Sequence, residues 1–441
     1  MTQFITKIVS ILILSTNTNI ESNWKTCKIF SKLEEGNPGI GGTEYCFSLL
    51  LTTLAKSFSH TLKLTFFSTE EFHKSDFFEC CQVTSFSQLF DIMENDKFDF
   101  LILRTMDSCL FYEELKQRKP KVKIIFWSHN YFNAHIAAKI SKESCIVANV
   151  FVSKQMYDFY YDHDIINKST YIFNPVVDNQ VNIKRCYEPH TAVYMGSIVE
   201  EKGILHLLKL WQIVLKKYPD AVLKIIGKGT IYSSRNIKLG KLGIASEDLE
   251  KKMIPFLCAE DGTLKKNYEL LGILGKEKYD VFRKCAVGIV NPSAKTETFG
   301  LGIIEMATVG LPVVTRCWNG HLDTIKNGET GLMALSLSGM AKCIIRLFED
   351  EKLNARLGFN AKEQVKVYDP QLIAQRWYDL ICLLAANEQI NHLRLSHPWW
   401  NNYKILRYLN SKLRFKLGLN FLPTIVSLET MVNDFLKKLK H

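Results

Sequence analysis

Short apolar runs rich in β-branched and aromatic residues alternate along this chain with stretches whose apolar residues recur every three or four positions. In the first part, Ile8–Leu14, Leu62–Phe67, Phe98–Leu103, Val122–Trp127 and Ile146–Val152 predict buried strands. The spacing between them predicts helices near Thr43–Ser57, Phe86–Glu94, Cys109–Lys119 and Tyr131–Ile140. The second part repeats the alternation. Strands are expected at Ala192–Met195, Val222–Ile226, Val287–Val290 and Pro312–Val314, with helices near Leu205–Lys217, Lys276–Lys284, Leu301–Val309 and Leu337–Glu349. Strands alternating with helices mean βαβ units and a parallel sheet, here twice over: an α/β chain of two Rossmann-like, doubly wound domains facing across a cleft. Residues 174–190 carry two prolines and little periodicity, and are expected to link a domain at 1–173 to a second at 191–386, which closes with a returning helix. A helical tail, 387–441, follows. Because such sheets bind ligands beyond the carboxyl ends of their strands, the chemistry is expected on loops that follow strands in both halves.

Composition narrows this picture. With 441 residues, 47% hydrophobic and 23% charged, the chain is too long for one core and too apolar for disorder. It has no run of about 18 apolar residues, so no membrane-spanning helix is expected. Ile8–Leu14 lacks a basic leader and a small-residue cleavage site, and reads as a first strand, not a signal peptide. The 12 cysteines include no C-x-x-C, which predicts reduced thiols in a cytoplasmic protein and no zinc site. Residues 1–185 balance 20 basic against 20 acidic side chains, whereas the last 55 residues hold nine against three. The body is therefore not a nucleic-acid-binding surface, and the tail is a basic appendage with an anionic partner.

Three segments carry candidate chemistry. GNPGIGGTEY, Gly36 to Tyr45, follows the first strand and runs into a helix; Gly39, Gly41 and Gly42 permit positive φ and close backbone approach, and the helix start favours an anion such as diphosphate. The same stretch is compatible with a plain surface turn capped by Thr43. In TAVYMGSIVEEKG a strand ends at Gly196 and Lys202 stands at the lip of a strand–loop–helix crossing, suited to a phosphate or to solvent. In the block from Asn291 to Met333, Glu297 lies in the loop after a strand, and Thr298–Leu301 leads into a helix bearing Glu305 amid Ile303, Ile304, Met306 and Ala307. An acid on so apolar a helix is costly to bury unless hydrogen bonds, such as those from ribose hydroxyls, satisfy it.

These segments resemble the retaining glycosyltransferases of group 1, also called family 4. That family shares a G-G loop after its first strand, here Gly41-Gly42. It also has a GR-x4-KG segment, here Gly196 to Lys202-Gly203, and an E-x7-E block continued by GLPVV, here Glu297 and Glu305 with GLPVVTRCWNG and NGETGLM. The similarity spans residues 8–386 and implies the GT-B fold. It implies that Gly41, Gly42, Gly196, Lys202, Gly300 and Leu301 hold the donor diphosphate, that Glu305 takes the ribose hydroxyls, and that Glu297 takes those of the donor sugar. His129, in FWSHN, falls where the family has an acceptor-side histidine. The catalytic set so implied is His129, Glu297 and Lys202. A nucleotide sugar, most commonly a uridine diphosphate one, would be the donor, with no metal or other cofactor. The acceptor would be a glycan or lipid-linked saccharide of lipopolysaccharide type. The alternatives of the same fold are a nucleotide-sugar 2-epimerase and a non-catalytic glycan- or lipid-binding relative.

Two departures stand out. Ser197 replaces the family's arginine, removing a bidentate phosphate donor; Arg283 and Arg316 are the candidates to replace it. Asp323 stands where glutamate is commoner. Asp162-His163-Asp164 is a D-x-D sequence in the polar stretch before the linker, and the resemblance implies no metal role for it, since two-domain transferases of that kind generally need no bound metal. In the tail, Ile405, Leu406, Leu409, Leu413 and Leu417 form one stripe with Lys404, Arg407 and Arg414 opposite. Ile425, Leu428, Val432, Phe435, Leu436 and Leu439 form a second. With Trp399 and Trp400, residues 399–440 suit an interfacial helix on anionic lipid, at the inner face of the cytoplasmic membrane, or a hairpin docked on the body.

Overall fold

The computed structural model describes residues 9–12, 33–68, 75–95, 98–180, 185–229, 238–293 and 295–439. The expected first strand is described at Val9–Leu12 only; Ile8, Ile13 and Leu14, like Lys440 in the tail, lie outside the described residues.

The first sheet comprises β1 (Val9–Leu12), β2 (Leu64–Ser68), β3 (Glu79–Gln82), β4 (Phe100–Arg104), β5 (Lys123–Ser128), β6 (Ile146–Phe151) and β7 (Ser169–Tyr171). Their order is β3-β2-β1-β4-β5-β6-β7, parallel throughout. The second comprises β8 (Thr191–Met195), β9 (Val222–Ile226), β10 (Tyr268–Gly272), β11 (Val287–Ile289), β12 (Val313–Arg316) and β13 (Gly331–Ala334), in the order β10-β9-β8-β11-β12-β13, again parallel. Strands β4 and β5 are buried on both faces, which is why they read as unbroken apolar runs rather than as alternation. In each sheet the chain reverses beside the first strand, so crevices open at the carboxyl ends of β1 and β4, and of β8 and β11.

The helices of the first lobe are α1 (Gly42–Phe58), α2 (Phe86–Asn95), α3 (Cys109–Arg118), α4 (Ala134–Lys142) and α5 (Lys154–Phe159). The second carries α6 (Ile204–Lys217), α7 (Glu247–Leu257), α8 (Lys278–Arg283), α9 (Leu301–Ala307), α10 (His321–Thr324), α11 (Leu337–Glu349) and α12 (Glu351–Gln364). Helix α4 starts later than its apolar spacing suggests because the Asn133 side chain accepts from the Ile136 amide and caps it there, leaving Tyr131 and Phe132 in the loop. Helix α13 (Pro370–Ala385) returns to the first lobe, packs on α1 and sets Trp377 against Trp127, ring centroids 5.1 Å apart.

The tail forms α14 (Lys404–Ser411), continued by a wider π-helical turn over Lys412–Lys416, and α15 (Ile425–Lys438). Of the two arrangements expected for it, the tail adopts the hairpin docked on the body, with its basic face turned inward. Lys404 and Arg407 are fully buried and Arg414 nearly so, while Ile405, Leu406 and Leu409 are each 52% exposed. The body supplies the reason. Lys404 pairs with Asp158 (2.9 Å), Arg407 with Asp162 (3.5 Å) and Arg414 with Asp164 (3.1 Å). Glu429 closes on Arg407 from within the hairpin (2.8 Å). Asp162 also accepts from the Asn410 amide (2.8 Å) and from the Ile425 backbone (2.6 Å), so the D-x-D carboxylates serve to dock the tail. Among the described residues no cluster of metal-ligating side chains occurs, and no helix is long and apolar enough to cross a membrane.

Breaking such a pair leaves an unpaired charge in a low dielectric, at a cost of about 3–5 kcal/mol. Lys404→Met is therefore expected to release the tail, raising the rate of limited proteolysis after residue 400, while Lys404→Met combined with Asp158→Asn recovers much of the protection. Equal proteolysis of the single variant and the wild type would count against this docking.

Candidate functional site

The loop before α1 is shaped by Asn37, whose side-chain oxygen accepts from the amides of Gly39 (2.9 Å) and Ile40 (3.0 Å). Gly39 adopts φ +96°, and a Cβ there would lie 2.8 Å from Ile273 of the second lobe, so glycine is required by both backbone and neighbour. Gly41, by contrast, sits at φ −56° and acts as the α1 N-cap; neither it nor Gly42 uses the left-handed region. Of the three glycines expected to use positive φ, Gly39 does and Gly41 and Gly42 do not; Gly36, at φ +97°, joins it. Gly42 does reach the crevice: a Cβ on it would come within 3.3 Å of Leu301, the first residue of α9. The starts of α1 and α9, from opposite lobes, therefore meet.

Two pockets adjoin at this meeting point. One is bounded by Gly39, Gly42, Gly196, Ser197, Asn291 and Glu305, the other by Glu44, Arg104, His129, Asn130, Asn174 and Thr298. Gly42, Lys202, Glu297, Gly300 and Leu301 line both. The structure thus brings every expected site residue to one crevice except Gly41. Lys202 ends a 3-10 turn after β8, and Gly203 follows at φ +77°, where a Cβ would meet the Ser293 backbone nitrogen at 2.6 Å. The Lys202 ammonium pairs with Glu297 (3.1 Å), which also accepts from the Asn291 amide (3.0 Å). Burial alone would raise the Glu297 carboxyl; Lys202, then His321 and the Asn291 hydrogen bond, outweigh it and hold it at about 2.

Glu305 is 4% exposed, and its neighbour is one that the sequence did not suggest. Lys278 of α8, itself 3% exposed, pairs with it at 2.5 Å and donates to the Asn37 carbonyl at 3.0 Å, tying the lobes together. A sequence signal did exist. Lys278 lies one turn before the buried Phe282, on the apolar face of its helix, where a lysine needs a partner. Arg104 was also missed, although a cation at the carboxyl end of a buried strand is where such sheets place function. Its guanidinium donates to the Asn130 amide oxygen (2.7 Å).

His129 is buried against Phe47 and Trp127, and its carbonyl accepts from the Thr298 hydroxyl across the lobes (2.7 Å). Burial, with Arg104 nearby, pushes its imidazole well below the usual range, so it is neutral at physiological pH. Its Nε2 has no hydrogen-bond partner among the described residues. Ser197 lines the first pocket and donates to the Lys228 carbonyl (3.4 Å). Neither Arg283 nor Arg316 replaces the missing arginine: Arg283 is engaged by Asp280 and Gln180, and neither borders the pocket. Asp323 instead reaches the first lobe, accepting from the Gln155 backbone (2.8 Å); burial raises its carboxyl to about 6.

Two outcomes follow from these pairs. Lys278→Met should cost about 3–5 kcal/mol in urea unfolding by stranding Glu305, and Lys278→Met/Glu305→Leu should restore most of it. A carboxyl held low by its partners lends stability above its unfolded value and loses it as pH falls through its folded value, so in the wild type Glu297 stays ionised down to about pH 2. Lys202→Met removes the largest of the groups holding it down, and a new acid-side loss of donor binding should then rise toward the ordinary carboxylate range in a binding–pH profile.

Residues 180–364 match the family model of glycosyl transferases group 1. An uncharacterized glycosyltransferase of Haemophilus influenzae is 24% identical over 197 residues, 44% of this chain and 49% of that protein. The alignments with curated relatives span about half or less of those proteins' length. A glycosyltransferase structure from Rickettsia africae superposes with a TM-score of 0.63 at 13% identity, covering 86% of this chain and 99% of the other. The Anabaena protein HepE in complex with UDP-glucose gives 0.57 at 13% identity, covering 85% and 99%. Likeness at this identity is one of fold, and it agrees with two facing doubly wound sheets. Residues 180–364 are thus similar to the group 1 glycosyl transferases, in a chain whose two facing sheets have the GT-B fold.

Proposed function

We propose that this chain is a retaining hexosyltransferase. It would move a sugar from a nucleotide donor, uridine diphosphate-linked, to a hydroxyl of a glycan or lipid-linked saccharide of lipopolysaccharide type, in the cytoplasm at the inner face of the membrane. The observation that carries this reading is the Lys202–Glu297 pair on the wall shared by two pockets, at the point where the starts of α1 and α9 meet. One pocket suits a donor and the other an acceptor, and the wall between them is where a group would pass.

In this reading the donor diphosphate lies against the amides of Gly42, Gly300 and Leu301, with Gly196 allowing backbone approach and Lys202 as the charged partner. Negative charge grows on the departing diphosphate, and groups already aimed at it stabilise that charge without reorganising water. Glu305 takes ribose hydroxyls and Glu297 those of the donor sugar. Held ionised, Glu297 also favours the partial positive charge on the sugar carbon. His129, neutral and with a buried Nε2 that has no hydrogen-bond partner among the described residues, lines the pocket read as the acceptor's. Retention follows if attack and departure occur on one face, with the diphosphate taking the acceptor proton, and no side chain is needed as base. The uridine preference draws support from the UDP-glucose held by the Anabaena neighbour. With lysine and helix termini against the diphosphate, no metal is invoked.

The test is release of nucleoside diphosphate from a panel of nucleotide sugars with and without a glycan acceptor, with the anomeric product read by NMR. Release that depends on acceptor, with retained configuration and unchanged by EDTA, is expected. An epimerase would act without acceptor, and a binding protein would release nothing. Glu297→Ala should lower turnover by about 10²-fold or more while donor still binds, whereas Glu305→Ala should mainly reduce the thermal shift produced by donor.

A further inference from the structure

The tail hairpin is built inside out. Of its two faces, the basic one is turned inward onto Asp158, Asp162 and Asp164, and the apolar one is left in water. Among the described side chains of α15 only Val426 and Thr430 are buried; Met431 is 65% exposed and Phe435 62%, and Phe421 in the connecting turn is 81% exposed. Apolar side chains in this number and at helical spacing exceed what a soluble surface ordinarily leaves uncovered. The body could have received the apolar stripe; it offers carboxylates instead, so the outward orientation is held by buried ion pairs.

We infer that the outward face of the α14–α15 hairpin is a lipid-seating surface, entering the bilayer interface by apolar burial with lysines only at its rim. Lys404, Arg407 and Arg414, expected opposite the apolar stripe, are consumed by the body. Charge names the occupant. Lys412, Lys416 and Lys438 remain exposed at the edges of the face. Against these lysines the two helices set two acids, Glu429, paired with Arg407, and Asp434, half exposed and 3.9 Å from His135. Such a rim complements anionic headgroups and opposes a second copy of itself, because a two-fold contact would set lysine against lysine. Trp400 and Tyr403, 44% and 61% exposed, supply the amphipathic rings that favour the interface.

The seat also bears on the site. The Thr430 hydroxyl accepts from the Ala134 amide at the start of α4 (3.1 Å), five residues beyond His129, so the hairpin rides on the acceptor-side lobe. The inference deepens the proposed function by giving a lipid-linked acceptor a surface to come from, and it rests on that reading only for its purpose.

The experiment is sedimentation of the full chain, without substrate, on phosphatidylcholine vesicles with and without phosphatidylglycerol. Wild type should bind both, more tightly with the anionic lipid, and high salt should remove only that increment. Leu409→Asn/Leu413→Asn/Phe435→Asn, all at exposed positions, should keep its thermal unfolding and lose on the order of tenfold or more binding to both vesicles. Lys412→Ala/Lys416→Ala should lose only the anionic increment. Wild type remaining in the supernatant with both vesicles would overturn the inference. So would undiminished binding by the triple asparagine variant, or a wild-type dimer in sedimentation velocity that this variant dissociates. None of these readouts needs a sugar donor, so failure of the transfer reading leaves them intact.

Discussion

Bringing two helix starts from opposite lobes into contact is unfavourable by itself, because each carries positive partial charge on unpaired amides. The crevice at Gly42 and Leu301 is organised around that constraint. Two carboxylates, Glu297 and Glu305, stand close enough to line the same pocket, and each is held by its own lysine, Lys202 or Lys278. The balance leaves a site in which both carboxylates and both lysines are held in place by one another, with Glu297 kept ionised by Lys202.

The same economy of buried charge governs the rest of the molecule. Lys278 joins an acid of the second lobe to a backbone carbonyl of the first, and Asp323 accepts from the start of α5. Gln155, which donates to Asp323, in turn accepts from Asn401 (2.8 Å) and Lys404 (2.7 Å) of the tail. Lobe, lobe and tail thus meet at one polar junction. Each of these groups would be costly alone, and each fixes the placement of a neighbour because of that cost.

The strands that lie in sheet interiors were legible because burial on both faces makes them continuous apolar runs, as at Phe100–Leu103 within β4. Strands β3, β7 and β13, short and at or near sheet edges, were not: ECCQ, STY and GLMA carry no period that marks them. Helices α7 and α12 were missed for the opposite reason, their exposed faces being so charged that the apolar spacing is diluted. At the site, the motif residues were legible as chemical types, but their pairing was not. Nothing in sequence spacing joins Lys278 to Glu305 or Arg104 to the wall beside His129, because those contacts are made between elements distant along the chain.

By itself the sequence determined two parallel α/β layers, the loops on which chemistry would fall, and a tail with one apolar and one basic face, since these depend on local periodicity and composition. Tertiary structure alone decided that Gly36 rather than Gly41 or Gly42 joins Gly39 at positive φ, that Lys278 meets Glu305, and which face of the tail turns inward. The physical reason is common to all three. Amphipathicity states that a face must find a complement, but whether that complement is hydrocarbon or carboxylate depends on what the folded body presents, here Asp158, Asp162 and Asp164.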